Sequence, residues 1–210
     1  MVSVEAAVLW THIAAGVVAL VAGTGALITT KGGRRHRLAG KAYVASMGVV
    51  VGSVLPLFVF EPGDAFLQFL LLVAVFSGYL VFSGYRVVSR KRPGDGPERV
   101  DWVAAGAAIV ACLGLAGMGV GRVLRGDPFG VVMVVFGAIG GAFGGTDVRA
   151  LRRGGTDARI PDHLSRMIGG FIATVTAVSA VNLTAVPAVV AWLWPTAVGV
   201  PLIVYWQRRY

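Results

Sequence analysis

The stretch RRHRLAGKAYVASMGVVVGSVLPLFVF, residues 34–60, decides the fold class because a basic segment leads directly into a long apolar run. Four of its first eight residues are Arg or Lys, and none of the residues from Ala42 to Phe60 carries a charge. A run of about 20 apolar residues crosses the hydrocarbon core of a bilayer as a helix, and Lys and Arg collect on the cytoplasmic side. The stretch therefore predicts a transmembrane helix whose Arg34 end lies inside the cell.

The composition extends this prediction to the whole chain. Of the 210 residues, 56% are hydrophobic and 14% are charged, with a mean hydropathy of +0.77. A soluble domain carries about 25% charged residues, so the chain is too apolar for the class of water-soluble globular proteins. The other runs without Asp, Glu, Lys or Arg are Ala6–Thr30, Ala65–Tyr85, Trp102–Gly121, Pro128–Thr146 and Met167–Gln207.

The last of these runs has 41 residues, about twice the length that one membrane helix needs. Proline readily starts a helix, so we divide the run near Asn182–Pro187. The result is an all-α fold, an integral membrane bundle of seven transmembrane helices forming a single domain over residues 1–210. The predicted helices cover residues 5–29, 42–60, 65–87, 101–121, 128–148, 163–184 and 188–206. The alternative is one long kinked helix at the end, which makes six.

The basic residues are distributed unevenly between the two sides of this predicted bundle. With seven alternating spans, all but two of the 19 lysines and arginines fall on one side. The positive-inside rule then predicts a multi-pass protein of the cytoplasmic (inner) membrane, with its N-terminus outside and its C-terminus inside. Despite the net charge of +9, we expect anionic lipid headgroups as partners at the basic side, and no nucleic acid. The two exceptions are Arg122 and Arg125.

Glycines recur at helical spacing. The segment GAIGGAFGG, residues 137–145, has several glycines four residues apart, which lie on one helix face and allow close helix packing. Packing within the chain is the expected use, and a homo-oligomer or a larger membrane complex is the alternative. The glycine pairs are Gly137/Gly141, Gly140/Gly144, Gly141/Gly145, Gly48/Gly52 and Gly117/Gly121.

Ionisable residues inside the predicted spans are scarce. We predict that no span contains a buried carboxylate, Lys or Arg, and that only His12 is ionisable and inside. Such a pattern argues against a proton-driven carrier. His12 has two open interpretations: a functional group within the membrane, which makes it a candidate cofactor-binding residue, or a hydrogen-bond partner of a neighbouring Ser or Thr. The single cysteine, Cys112, excludes an internal disulfide and is expected to be a packing residue.

Two further histidines, His36 and His163, are predicted to lie at the cytoplasmic side just before the second and sixth helices. Two imidazoles on neighbouring helices can hold a transition metal or the axial positions of haem b. Arg37 and Arg166 are next to them or one turn away and can bind haem propionates. The pocket would be completed by two further residues of the same helix faces, Tyr43 and Met167. His12 is too far across the membrane to join this site.

The alternative for these two histidines is structural. His36 can face water or headgroups, and His163 follows Pro161 and Asp162, which predicts a helix start with Asp162 as its N-cap. Such a histidine can hydrogen-bond a neighbouring loop. If a metal binds instead, nearby carboxylates are candidates to complete its coordination; these are Asp101, Asp147, Asp157 and Asp162.

The chain resembles a bacterial family of polytopic membrane proteins known only as a domain of unknown function. The resemblance rests on His12, on the pattern His-Arg-x-x-Gly-x-x-Tyr from His36 to Tyr43, and on His-x-x-Arg-Met from His163 to Met167. It departs from that family's pattern at Ile168-Gly169-Gly170, where a basic residue and an aromatic are expected. The resemblance implies an all-helical membrane fold and a role for the histidines, and it implies no reaction.

Three functional hypotheses follow from the sequence. The first is haem or metal binding by His36 and His163 near the cytoplasmic face, for electron transfer or cofactor handling. The second is a non-enzymatic accessory subunit of a larger membrane complex. The third is a carrier for a small solute or lipid. The sequence predicts no catalytic residue, and it leaves open whether the protein is an enzyme.

Overall fold

The computed structural model describes residues 3–89, 96–154 and 159–208. This part of the chain contains seven α-helices and no β-strand. The helices are α1 (Val4–Ile28), α2 (Arg34–Phe60), α3 (Ala65–Ser89), α4 (Arg99–Val123), α5 (Phe129–Arg152), α6 (Arg159–Asn182) and α7 (Ala188–Gln207).

All seven helices are long and apolar enough to span a membrane. They contain 20 to 27 residues, which at 1.5 Å per residue gives about 30–40 Å, the thickness of a bilayer core or more. The all-α prediction with seven helices is confirmed. The division of the last apolar run is confirmed as well, since α6 ends at Asn182 and α7 begins at Ala188.

Several helix bounds differ from the prediction, and the differences of four residues or more lie at basic ends. α2 begins at Arg34 instead of residue 42, α6 begins at Arg159 instead of 163, and α5 continues to Arg152 instead of 148. The predicted bounds followed the uncharged runs, but Arg and Lys are good helix formers and simply extend the helices. His36 and His163 therefore lie inside helices and not before them. Asp162 is in the first turn of α6, so its prediction as the N-cap is wrong.

The structure divides into two compact units, residues 1–74 and 75–210. In the first unit, α1 packs along α2, and its buried core includes Ala19, Tyr43, Met47 and Phe69. The second unit contains the rest of α3 and helices α4 to α7. The prediction of a single transmembrane domain over residues 1–210 stays a prediction.

In the second unit, α4 and α5 pack closely because glycines of α5 face α4. A Cβ atom at Gly137 would lie 2.7 Å from the carbonyl oxygen of Cys112, and one at Gly144 would lie 2.6 Å from Ile109. Gly140 faces the sulfur of buried Cys112 and the ring of Phe76. For these glycines the predicted packing within the chain is confirmed.

Other glycines of the predicted pairs do not take part in such packing. A Cβ at Gly141 or Gly145 would meet no atom within 4 Å, and the same holds for Gly48 and Gly52. Close packing of α5 against α4 thus uses one face of the glycine-rich segment and leaves the neighbouring face open.

Candidate functional site

Two almost fully buried charges of the described chain lie on neighbouring helices of the second unit. Asp147 on α5 and Arg166 on α6 are each 5% exposed, and Tyr79 on α3 is 6% exposed. Arg166 donates from Nη2 to Oδ1 of Asp147 and from Nε to Oδ2 at 3.3 Å. The Tyr79 hydroxyl donates to the same Oδ2. We call these three residues the Asp147 cluster.

The cluster lies inside the helices, away from their ends. Asp147 is five residues before the end of α5, and Arg166 is seven residues after the start of α6. At 1.5 Å per residue these positions are about 8 and 10 Å from the helix termini. Because Asp147 accepts hydrogen bonds from two other helices, it connects α3, α5 and α6 through one carboxylate.

A second ion pair lies nearer the ends of α3 and α4. Arg86 donates from Nε to Oδ1 of Asp101 and from Nη2 to Oδ2, both at 3.0 Å, and its Nη2 also lies 2.9 Å from Oε1 of Glu98. Asp101 is buried and accepts a further hydrogen bond of 2.8 Å from the backbone N–H of Glu98, which forms a capping box at the start of α4. This bidentate pair connects the end of α3 to the start of α4.

A cleft of about 40 Å³ lies between the two ion pairs. Its polar lining comes from Tyr79, Ser83, Arg86, Asp101, Asp147 and Arg166, and its apolar walls come from Phe82, Val87, Ala150 and Leu151. A cavity of this volume with polar groups in its wall can hold a water molecule or a solute of a few heavy atoms. The second unit thus contains a small charged cleft formed by four helices.

The cleft lies at the end of the second unit where the arginines collect. α3 and α5 end there, and α4 and α6 begin there, as the two ion pairs show. The opposite end of α4 and α5 carries Arg122, which pairs with Asp127 at 2.6 Å in the connecting turn. The backbone N–H of Phe129 and the Arg122 guanidinium both donate to Asp127, and they hold the pKa of that carboxyl below its ordinary value.

The prediction that no span contains a buried carboxylate, Lys or Arg is wrong. Asp101, Asp147 and Arg166 are buried within helices that are long and apolar enough to be membrane spans. The prediction followed uncharged runs, and each of these residues lies immediately next to such a run, where tertiary packing and not composition decides burial. The available signal was the presence of Asp101 and Asp147 among the arginines of the same helix ends, since a buried charge needs a partner.

The two histidines of the predicted ligand pair each contact a backbone carbonyl. Nδ1 of His36 lies 3.0 Å from the carbonyl oxygen of Ala26 in α1, and Nδ1 of His163 lies 2.8 Å from that of Gly84 in α3. The partner of His163 belongs to a helix, whereas the sequence suggested a loop. His36 lies in the first unit and His163 in the second, so their pairing stays a prediction.

The other predicted cofactor-binding residues are divided between the units in the same way. In the first unit, Arg37 donates to the carbonyl of Gly32 at 2.7 Å, and Tyr43 is buried. In the second unit, Arg166 belongs to the Asp147 cluster. Met167 packs on α3, where a Cβ at Gly84 would lie 3.0 Å from its sulfur.

His12 forms the hydrogen bond that was the structural alternative for it. Its Nδ1 lies 2.8 Å from the hydroxyl of Ser53 on α2, and Ser53 in turn donates to the carbonyl of Val50 at 2.8 Å. The bond connects α1 to α2 within the first unit. A cofactor-binding role for His12 stays a prediction.

Among the described residues, no three or more His, Cys, Asp or Glu side chains form a group that could hold a metal ion. Asp101 and Asp147, expected to complete such a site, are held by guanidinium groups instead. Asp157 lies outside the described residues. The metal set proposed from the sequence therefore has no support in this part of the chain.

Comparison of the chain with protein-family models, with curated proteins and with solved structures gives no match. The resemblance to a family of unknown function stays a prediction. The functional argument consequently rests on the residues and contacts of the chain itself.

Proposed function

We propose that this protein is a multi-pass protein of a bacterial cytoplasmic membrane and that it binds a small polar solute in the charged cleft of the second unit. The carrier hypothesis, in which such a solute moves across the membrane, is the function that this site favours. The observation that carries the proposal is the burial of Asp147 and Arg166, next to a cavity, in helices apolar enough to span a bilayer.

Stability alone is a poor explanation for these charges. Removing two charges from water costs several kcal/mol per ion, and replacing a buried ion pair by well-packed apolar residues is often neutral or stabilising. Ionisable residues within membrane helices mark substrate and ion pathways far more often than they serve as simple packing. The buried Asp147 also removes the argument against proton coupling that the sequence had suggested.

The proposed orientation follows from the charges. The cleft end of α3 to α6 carries most arginines of the second unit, whereas Arg122 and Arg125 lie at the other end. By the positive-inside rule the cleft end is cytoplasmic, the N-terminus is outside, and the C-terminus is inside. The exposed arginines at this end would contact anionic lipid headgroups.

The test uses a substitution that fills the cleft and leaves every charged residue unchanged. Ala150 lines the cleft, so Ala150→Leu should occupy its volume, while Ala142→Leu adds the same side chain at an exposed position of the same helix. A panel of small anionic, cationic and neutral solutes is added to the detergent-purified protein, and thermal unfolding is followed. A solute that stabilises the parent protein and Ala142→Leu, but not Ala150→Leu, supports the proposal. No stabilisation by any solute, or equal stabilisation of all three proteins, contradicts it.

The second proposal is a haem or metal site that uses His36 and His163. The observation favouring it is that Nδ1 of each ring lies within hydrogen-bond distance of a backbone carbonyl, which is the arrangement that orients histidine ligands of metals. Electron transfer or cofactor handling would be its function. Visible spectra of the oxidised and dithionite-reduced protein, with metal analysis, test it. A Soret band lost in His36→Ala and His163→Ala, but kept in Arg208→Ala, supports this site, and a colourless metal-free protein from haem-supplied cells contradicts it.

The third proposal is an accessory subunit or homo-oligomer, for which the open glycine positions Gly141 and Gly145 offer a face for another helix. Stoichiometric co-purification with other membrane proteins in mild detergent would support it. A monomer of the single chain in the same detergent would contradict it.

A further inference from the structure

The guanidinium of Arg166 has one nitrogen that is less well satisfied than the other two. Nε and Nη2 donate to Asp147, but Nη1 is buried and makes no hydrogen bond among the described residues. It lies 3.3 Å from Oδ1 of Asp162, within ion-pair distance but without hydrogen-bond geometry. A buried N–H donor beside a polar cleft is a position where an acceptor oxygen of a ligand would be stabilised.

The charges around this position do not favour an anion while every group is ionised. Asp147 is contacted by Tyr79 from α3 and by Arg166 from α6, and the cleft beside it is shared with Arg86 and Asp101. Two more carboxylates lie at its edge, Asp162 near Arg166 and Glu98 near Arg86. Four carboxylates thus face two guanidiniums, so an added anion requires the loss of one negative charge.

Asp147 is the carboxylate whose neutralisation would free a guanidinium, that of Arg166, to bind an anion. Arg86 is shared by Asp101 and Glu98 and keeps one partner whichever of them is protonated. Arg166 also lies beside Asp162, but both of its nitrogens that donate hydrogen bonds, Nε and Nη2, donate to Asp147. Protonation of Asp147 removes the negative charge that accepts these two bonds, and the guanidinium then presents a bidentate site for another carboxylate.

We propose, on the basis of the proposed solute site, that the solute is a small monocarboxylate and that it binds together with one proton. The proton forms an O–H bond on Asp147, and the carboxylate of the solute takes the place of Asp147 as the partner of Arg166. One positive and one negative charge enter together, so the net charge of the cleft is unchanged. Tyr79 keeps an acceptor, because the neutral carboxyl of Asp147 retains its carbonyl oxygen.

Size and charge restrict the class of solute. A cleft of about 40 Å³ has room for acetate or a molecule of similar size. A cation would have to compete with Arg166 for Asp147 and would leave a buried guanidinium without its partner, which is strongly unfavourable. A neutral solute would offer nothing to replace the charge of Asp147.

The experiment uses acetate as the probe and counts protons. Titration calorimetry of the detergent-purified full-length protein is performed at each pH in two buffers of different ionisation enthalpy, which gives the number of protons taken up for each acetate bound. We expect one proton per acetate, and a binding constant that falls about tenfold per pH unit wherever one proton is taken up with each acetate. Acetate binding without proton uptake would overturn the inference.

Variants separate the roles of the two charges. Asp147→Asn imitates the protonated carboxyl and should bind acetate with no proton uptake and no dependence on pH, whereas Arg166→Gln should lose acetate binding. Arg122→Gln and Asp127→Asn alter an Arg–Asp pair at the other end of the helices and should behave as the parent protein does. Retained acetate binding in Arg166→Gln would also overturn the inference. The proton count on the unmodified protein stays decisive even if a variant fails to fold.

The outcomes distinguish this inference from the proposed function. If acetate does not bind but another solute of the panel stabilises the protein and loses its effect in Ala150→Leu, the inference is wrong and the solute site stands. If no solute binds, both are wrong.

Discussion

Arg166 on α6 holds Asp147 on α5 through two nitrogens in a part of the structure that is almost fully buried. Neutralising only one partner leaves the other charge buried without compensation, which costs about 3–5 kcal/mol. We therefore expect Arg166→Gln to lower the unfolding temperature in detergent strongly, and Asp147→Leu/Arg166→Met to recover most of the loss.

The matched control for this prediction is the pair Arg122–Asp127, whose side chains are 31% and 37% exposed. A solvent-accessible pair contributes about 1 kcal/mol or less, so Arg122→Gln should change the unfolding temperature little. Equal effects of Arg166→Gln and Arg122→Gln would contradict the burial of the Asp147 cluster.

The glycines of α5 provide a test of helix packing. Gly137→Ala places a methyl group against the backbone of α4, because its Cβ would lie 2.7 Å from the carbonyl oxygen of Cys112. Gly141→Ala, one turn away, meets no atom within 4 Å and removes only the flexibility of glycine. Thermal unfolding should show Gly137→Ala to be destabilised and Gly141→Ala to be unchanged or slightly stabilised. A larger loss of stability in Gly141→Ala than in Gly137→Ala would mean that α4 does not pack on the Gly137 face of α5.

The turn between α4 and α5 should respond to acid through Asp127. Its pKa is lowered by the Phe129 N–H and the Arg122 guanidinium, so the carboxylate stabilises the folded state above the ordinary pKa of 3.8. That contribution is lost as the pH falls through the lowered folded-state pKa. The difference in unfolding temperature between the parent protein and Asp127→Asn should thus be constant above pH 5 and shrink below about pH 4. A difference that widens with acid would exclude this assignment.

The membrane orientation can be tested with the single cysteine. In a Cys112→Ala background, Leu124→Cys lies in the turn after α4, and Arg35→Cys lies at the exposed start of α2. A membrane-impermeant maleimide added to intact cells should label Leu124→Cys and should label Arg35→Cys only after the membrane is permeabilised. The opposite pattern would invert the proposed orientation.

The helices could be predicted from the sequence because membrane spans are specified by composition along the chain. The apolar runs gave seven helices, and Pro187 correctly marked the break after Asn182. The helix ends were less accurate at Arg34 and Arg159, because charge does not end a helix. Apolar runs in the sequence therefore predict that a helix is present, but the position of the first charged residue does not predict where the helix ends.

The site was predictable only in part. Arg166 was identified, but as a partner of a cofactor, and Tyr79 was not identified at all. The contacts of Asp147 with Arg166 and Tyr79 join residues on different helices. No spacing rule along the sequence connects residue 79 to residue 147. The hydrogen bond of His12 was easier to predict than the Asp147 cluster. An isolated imidazole among apolar residues needs a hydrogen-bond partner, and the hydroxyl of Ser53 is that partner.

The close packing of α4 on α5 has a mechanical consequence. The glycine contacts hold these two helices close together, and the pair carries both buried aspartates, Asp101 and Asp147. The two arginines lie on α3 and α6, which are joined to each other by the bond from His163 to the carbonyl of Gly84. The cleft therefore has its buried aspartates on one pair of helices and its arginines on another, and a movement that parted the two pairs would break both ion pairs in a single step.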